Sequence, residues 1–223
     1  MTFKLFLQAI GKLVLGMLSV ALLTFLPAGT LHFPNGWLLM AILFVPMFLA
    51  GLVLMVCNPK LLQRRLNAKE TQKEQRLVVS LSALVFLAGF LVSGLDFRFG
   101  WSHLPQSVVI IAVIIFLAAY LLYAEVIREN TYLSRTIEVQ EAQKVIDTGL
   151  YSVIRHPMYT ATIFLFLSMP LILGSIWGFF VFLIHPILIV RRIKFEEEFL
   201  TKELPGYLEY RQTVAYRLIP FLW

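Results

Sequence analysis

Six long apolar segments divide this sequence, and each is close to the length that a helix needs to cross a lipid bilayer. A hydrocarbon core about 30 Å thick takes about 20 apolar residues per helix, and fewer where neighbouring helices shelter the span. The segments cover residues 5–26, 37–57, 77–95, 108–126, 159–173 and 176–190. Only Gly174 and Ser175 separate the last two, which predicts a tight helical hairpin. The pattern predicts an all-α, polytopic transmembrane helix bundle with about six spans.

The composition agrees with this class, because 59% of the residues are hydrophobic and only 14% are charged. So few polar residues cannot cover the surface of a soluble domain. No repeat, low-complexity stretch or second soluble domain stands out, so we expect one membrane domain over residues 1–223. Residues 1–127 contain the first four spans. Residues 128–223 contain the last two spans and a polar, cytosolic C-terminal segment that we expect to be helical.

The positions of the basic residues predict the orientation in the membrane. Of the 19 Lys and Arg residues, all but Arg98 fall at the N-terminus, after span two, after span four or after span six. Cytosolic loops carry an excess of Lys and Arg, so we expect both termini on the cytosolic side and an even number of spans. Because these residues punctuate the ends of apolar runs and form no basic domain, we expect no nucleic-acid partner.

The segment 58–76, between spans two and three, is charged and begins with Asn58 and Pro59. It is typical of an amphipathic helix that lies on the anionic inner leaflet. A solvated connector would have a similar composition, and both interpretations stay open from the sequence alone.

The polar residues that orientation does not explain form two clusters, at 129–159 and 191–223, both on the predicted cytosolic side. In the first, Pro157 fits the first turn of a helix, where its missing N–H is no loss. Arg155 and His156 then lie at a helix N-terminus, where free N–H groups and the helix dipole favour a carboxylate or phosphate. Alternatively, Arg155 only reaches to the interface and His156 caps the helix.

The second cluster continues from span six. If the helix extends, Arg192 and Glu196 are i, i+4 neighbours and Glu197 lies beside them, which is also the pattern of simple salt-bridge support. Three successive carboxylates at the membrane face carry a cost in desolvation and repulsion, however, and they suit a cationic ligand such as an ammonium or sulfonium. A cofactor that carries a carboxylate and positive charges would use both clusters.

Several motifs occur in a fixed order in this half of the chain. They are Gly149-Leu150-Tyr151, Arg155-His156-Pro157-Met158-Tyr159, Arg192 with Glu196-Glu197 and Leu200, Gly206-Tyr207 with Tyr210, and Arg217-Leu218-Ile219-Pro220. Together they resemble the isoprenylcysteine carboxyl methyltransferase family, which is related to the phospholipid methyltransferases. The resemblance covers residues 129–223 and implies that this region binds the cofactor and is catalytic.

The resemblance implies S-adenosylmethionine as the cofactor and no metal ion. Gln143 to Ile146 would contact the adenosine, His156 would lie near the methionine carboxylate, and one of the paired carboxylates would hold the amino group. The cofactor-binding residues implied are Gln143, Val145, Ile146, Gly149, Tyr151, Arg155, His156, Pro157, Tyr159, Glu196 and Glu197. Arg192 would face the reacting centre to orient a carboxylate acceptor, and Glu197 would assist proton loss from an amine acceptor, so these two are the catalytic candidates.

The expected function is therefore that of an integral membrane methyltransferase whose active site faces the cytosol and whose partners are membrane lipids. The acceptor is lipid-like or prenylated, and prenylcysteine, phosphatidylethanolamine, an isoprenoid and a small hydrophobic compound all stay open. One alternative is a membrane reductase of the sterol-reductase type that uses NADPH. Another is a small transporter or assembly factor, for which His185 and Glu125 are the only ionisable candidates within the spans.

Overall fold

The computed structural model describes residues 3–67, 73–134 and 136–223, with the side chains of residues 73 and 74 outside the description. Helices hold 76% of the described residues, and no strand occurs among them. The helices are α1 (Phe3–Ala28), α2 (Pro34–Cys57), α3 (Pro59–Leu66), α4 (Lys73–Phe99), α5 (Gln106–Glu129), α6 (Pro157–Ile172), α7 (Ile176–Phe182), α8 (Ile184–Glu203) and α9 (Tyr207–Thr213). A 3₁₀ turn at Gly149–Ser152 precedes α6.

The predicted all-α membrane bundle is confirmed. In the described part of the chain, five helical segments are long and apolar enough to cross a membrane: Phe3–Ala28, Pro34–Cys57, Gln75–Phe99, Gln106–Glu129 and Ile176–Glu203. The shorter apolar helix Pro157–Ile172 coincides with the fifth predicted span, and its crossing of the membrane stays a prediction. Many large apolar side chains of these helices are exposed, as expected of surfaces that face lipid.

The predicted hairpin lies between α6 and α7. Gly174 adopts a φ of +81°, a left-handed conformation that glycine takes without the steric cost of a Cβ. Ser175 caps α7, because its Oγ accepts a hydrogen bond from the Gly178 N–H at 2.8 Å. The last span breaks at Leu183 and resumes as α8, which continues to Glu203. The helix therefore extends 13 residues beyond the predicted end at 190 and carries the second polar cluster with it.

Aromatic side chains fill the centre of the bundle. Phe90, Phe116 and Phe182 are fully or almost fully buried, and Gly89 leaves the space into which the Phe182 ring packs. His185 is also buried, with its ring 4.6 Å from that of Phe166, and its two nitrogens have no hydrogen-bond partner in the described structure. We therefore interpret His185 as a packing residue.

Asp96, a buried carboxylate, links the helices at the end of the bundle where α4 connects to α5. Asp96 accepts hydrogen bonds from the Ser102 N–H and Ser102 Oγ, both at 2.7 Å, and from Ser175 Oγ. These contacts join the end of α4 to the start of α7. The sequence analysis does not single out Asp96, whose partner Ser175 is distant in sequence.

The helix predicted over 58–76 is shorter than expected. Asn58 accepts a hydrogen bond from the Leu61 N–H, Pro59 occupies the first turn, and α3 ends at Leu66. Its apolar residue Leu62 packs against Leu5 of α1 and Met55 of α2, which supports the amphipathic interpretation for this part. Residues 68–72, which include Lys69, and Arg135 of the orientation argument lie outside the described residues.

Candidate active site

One cavity lies at the end of the bundle where α5 and α8 finish, opposite the end that Asp96 ties together. Its walls come from the segment after α5, the start of α6, the C-terminal half of α8, and α9. The two predicted polar clusters therefore meet across one cavity, although they are about 40 residues apart in sequence. The side that faces the cytosol stays a prediction.

Most of the predicted site residues line this cavity. They are Gln143, Val145, Ile146, Tyr151, Arg155, His156, Tyr159, Arg192 and Glu196. Gly149, Pro157 and Glu197 are not among its lining residues. The individual roles of all these residues in binding or catalysis remain predictions.

The end of α5 positions the turn that carries Tyr151. Gly149 has a φ of +51°, and a Cβ there would overlap the Glu129 carboxylate. That carboxylate accepts a hydrogen bond from the Leu150 N–H at 3.0 Å. Gly149 therefore allows α5 to hold the turn closely, and it does not itself line the cavity.

Tyrosine hydroxyls connect this turn to its neighbours. The Tyr151 hydroxyl accepts a hydrogen bond from Asn130 Nδ2 at 3.0 Å, and the Tyr210 hydroxyl donates to the Tyr151 carbonyl oxygen at 2.7 Å. Burial raises the pKa of Tyr151 to about 12 and also raises the pKa of Tyr210. Both hydroxyls therefore stay protonated over the physiological range and can donate hydrogen bonds.

Pro157 begins α6, as predicted, and His156 is the residue before it. The expectation of free N–H groups at this helix start is wrong for Arg155 and His156. Their N–H groups donate to the carbonyl oxygens of Tyr216 and Arg217, each at 2.9 Å. The C-terminal segment therefore binds these two N–H groups, while the side chains of Arg155 and His156 still line the cavity.

The guanidinium of Arg155 also forms hydrogen bonds to other parts of the protein. Its Nε donates to Glu197 Oε1 at 2.8 Å, and its Nη1 donates to the carbonyl oxygens of Val214 at 2.5 Å and Ala215 at 3.1 Å. Arg155 lines the cavity, but its main contacts hold the C-terminal segment against α6 and α8.

Glu197 is the centre of a buried charged cluster. Besides Arg155, it contacts His156 Nε2 at 3.3 Å and accepts a hydrogen bond from Arg217 Nε at 2.9 Å. Only 3% of its side chain is exposed. The cluster therefore joins the start of α6, α8 and the C-terminal segment behind the cavity.

Arg192 and Glu196, predicted as i, i+4 neighbours on one helix, are linked through Tyr159. Arg192 Nε donates to the Tyr159 hydroxyl at 2.9 Å, and that hydroxyl donates to Glu196 Oε2. All three residues line the cavity. A guanidinium, a phenol and a carboxylate thus lie in one connected row along its wall.

Sequence reasoning missed part of the wall. The wall residues without an individual predicted role are Asn130, Tyr132, Leu133, Ser134, Thr136, Ile137, Glu138, Lys144, Met158, Leu200, Leu204, Tyr207 and Tyr210. Of these, Lys144 lies within the segment 143–146 that was predicted to contact the adenosine, and Met158, Leu200, Tyr207 and Tyr210 lie in the motifs that carry the resemblance. Tyr207 and Tyr210 lie three residues apart on α9, directly after Gly206 with its φ of +84°, and this spacing puts both rings on one helix face. The Tyr207 hydroxyl is buried and has no hydrogen-bond partner among the described residues.

A comparison with known protein families found a match that overlaps this region. The family model described as phospholipid methyltransferase matches residues 107–205. The predicted resemblance is confirmed. The phospholipid methyltransferase match runs from α5 through the end of α8, so it contains most of the cavity wall but neither α9 nor the C-terminal segment. No curated protein matches the chain. Residues 107–205 are therefore similar to a family of membrane methyltransferases, and the apolar helices are those of an integral membrane protein.

Proposed function

We propose that this protein transfers a methyl group from S-adenosylmethionine to a lipid-like acceptor in the membrane. The phospholipid methyltransferase match supports methyl transfer in a membrane. The connected row of Arg192, Tyr159 and Glu196 in the cavity wall is the observation that carries the choice of donor. It puts a negative group and a positive group at one small site, as a zwitterionic cofactor with a sulfonium requires.

The chemistry of the cavity wall fits this donor. The Glu196 carboxylate suits the amino group, the His156 imidazole suits the methionine carboxylate, and Val145 with Ile146 supplies an apolar surface for the adenosine. The Tyr207 hydroxyl is a further group for a ligand, since buried polar atoms in folded proteins nearly always have hydrogen-bond partners.

Methyl transfer makes modest demands on the protein. The donor supplies a methyl carbon that its sulfonium already activates, so the side chains mainly align the acceptor and exclude water. In this proposal Arg192 orients a carboxylate acceptor. Glu197, the candidate for taking a proton from an amine acceptor, is held by Arg155, His156 and Arg217 and does not line the cavity, so we propose no proton transfer through it.

We further propose that residues 128–223 form the cofactor-binding and catalytic region and that the donor enters from the cytosol. The concentration of Lys and Arg on that side supports this orientation. The acceptor reaches the cavity from the bilayer, which suits a bundle whose surface is rich in exposed apolar side chains.

Calorimetric titration of the detergent-solubilised protein with S-adenosylmethionine tests the proposal. The wild type should bind, and Glu196→Gln should weaken binding about 10- to 100-fold, the loss of a charge-assisted hydrogen bond worth about 1.5–3 kcal/mol. Glu198→Gln is the matched control, because Glu198 is exposed on the same helix. No binding by the wild type, or equal binding by both variants, would refute the proposal. Radiolabelled methyl incorporation into lipid and protein fractions would then identify the acceptor class.

A further inference from the structure

A second cavity lies among α1, α2, α3 and α5, and none of its lining residues is shared with the candidate active site. Its volume is about 300 Å³, which is within the range of small-molecule sites. Apolar side chains form most of its wall, among them Met47, Leu54, Met55 and Ile127. Gly51 also lines it, and a Cβ at Gly51 would meet no atom within 4 Å. The cavity thus has the shape and chemistry to hold a hydrocarbon chain.

The mouth of this cavity is basic. Lys12 lines the cavity and also an adjoining open groove between α1 and α3, whose other residues are Gln8, Lys60, Gln63, Arg64 and Asn67. In the described part of the chain, no carboxylate lines either the cavity or the groove. Among the described residues, three cations from two helices therefore line the groove and no acidic residue does.

The fold holds these cations in place. Lys12 Nζ donates to the Leu66 carbonyl oxygen at the end of α3, and Arg64 Nη1 donates to the Thr131 carbonyl oxygen at 3.1 Å. Both acceptors are neutral backbone groups, so the contacts orient the side chains without cancelling their charge. Asn58 and Pro59 fix the start of α3 and with it the position of Lys60.

A ligand that fits both the basic groove and the apolar cavity must carry an anionic group and a hydrocarbon chain in one molecule. We propose that this is a binding site for an anionic phospholipid, with its phosphate in the groove beside Lys12, Lys60 and Arg64 and one acyl chain in the cavity. A zwitterionic lipid offers these cations no net charge, whereas each basic residue near an anionic lipid surface favours binding. The site is separate from the methyl-transfer cavity and does not depend on the proposed donor.

A photoactivatable lipid tests the proposal. The wild-type protein is placed in phosphatidylcholine vesicles with a trace of phosphatidylglycerol that carries a diazirine in one acyl chain, and a phosphatidylcholine probe with the same chain is the comparison. Labelled peptides should map to the cavity wall in α1, α2 and α5. The phosphatidylglycerol probe should label them about tenfold more than the phosphatidylcholine probe. Equal labelling by the two probes, or labelling spread over all lipid-facing helices, would overturn the proposal.

Two pairs of variants test the chain and the headgroup separately. Gly51→Phe should fill the cavity and reduce labelling about tenfold. Gly11→Phe should leave the labelling unchanged, because Gly11 lies in equally open space on α1 but lines neither the cavity nor the groove. Lys12→Gln combined with Lys60→Gln should abolish the preference for phosphatidylglycerol. Lys4→Gln, the same charge change at an exposed site on α1, should retain it. The lysine variants leave the apolar packing intact, so they decide the question even if Gly51→Phe fails to fold. Loss of the preference in Lys4→Gln as well would indicate attraction to the surface alone and would refute the site.

Discussion

Glu197 is a buried carboxylate that three donors hold, and replacing it by glutamine tests whether it is a structural centre of the fold. The substitution keeps the size of the side chain and removes its charge. Arg155 and Arg217 then face a neutral amide, whose oxygen can accept one of their two hydrogen bonds and whose NH₂ group cannot accept the other. Removing one member of a buried ion pair costs about 3–5 kcal/mol, because the remaining charge is left uncompensated.

The structure favours the lower end of this range. Arg155 keeps its hydrogen bonds to carbonyl oxygens of the C-terminal segment, and the Arg217 side chain is 24% exposed and can reach water. We therefore expect Glu197→Gln to lower the free energy of unfolding by about 3 kcal/mol. Glu198→Gln, on the exposed face of the same helix, should change it by less than about 0.5 kcal/mol.

Equilibrium unfolding in mixed detergent micelles, followed by far-ultraviolet circular dichroism, measures both variants against the wild type. A double-mutant cycle with Arg217→Gln adds a direct measure of the contact. If Arg217 and Glu197 are coupled as their 2.9 Å hydrogen bond implies, the second substitution should cost about 1–2 kcal/mol less in the Arg217→Gln background. Equal stability of Glu197→Gln and Glu198→Gln, or additive effects in the cycle, would refute the reasoning.

The remaining predictions concern Gly149 and Asp96. Gly149→Ala should weaken S-adenosylmethionine binding about tenfold, because the new Cβ would displace the Glu129 carboxylate and the turn that carries Tyr151. Gly100 has a similar φ of +64° but open space around it. Gly100→Ala should therefore lose only about 1–2 kcal/mol of stability, the cost of the left-handed conformation. Calorimetry and unfolding of both variants separate the two effects, and equal donor binding would contradict the assignment. Asp96→Asn should lower the free energy of unfolding by about 1–3 kcal/mol without changing donor affinity, and a loss of donor affinity at unchanged stability would contradict its structural role.

The bundle was predictable because the physics that builds it is local in sequence. In a bilayer every backbone N–H and C=O must be satisfied within the span, so a long apolar run has to form a helix. The end of the last span was not predictable in this way. Once α8 leaves the apolar run, hydropathy gives no signal, and its continuation to Glu203 depends on contacts of Ile193 and Glu197 with distant segments.

The candidate site was predictable only as far as side-chain types carry information. Arg155 and His156 could be selected from the sequence because Pro157 predicts a helix start beside them. Arg192 and Glu196 could be selected because they have i, i+4 spacing and because successive carboxylates are costly at a membrane face. The backbone contacts of the C-terminal segment could not be predicted from the sequence. The carbonyl oxygens of Tyr216 and Arg217 bind the start of α6, and every residue has such an oxygen, so no pattern of residue types marks the ones that are used.

The adjacent pair Glu196 and Glu197 illustrates why a motif does not define a role for each residue. Successive residues on an α-helix point about 100° apart, so two neighbouring carboxylates cannot face the same wall equally. Glu196 points to the cavity, where Tyr159 donates to it, while Glu197 points to the cluster behind the wall. The second carboxylate binds the cations of Arg155 and Arg217, which fasten the C-terminal segment to α6. In the proposed enzyme, one glutamate therefore meets the donor and the other keeps the wall in place, and variants at the two positions should separate donor affinity from stability.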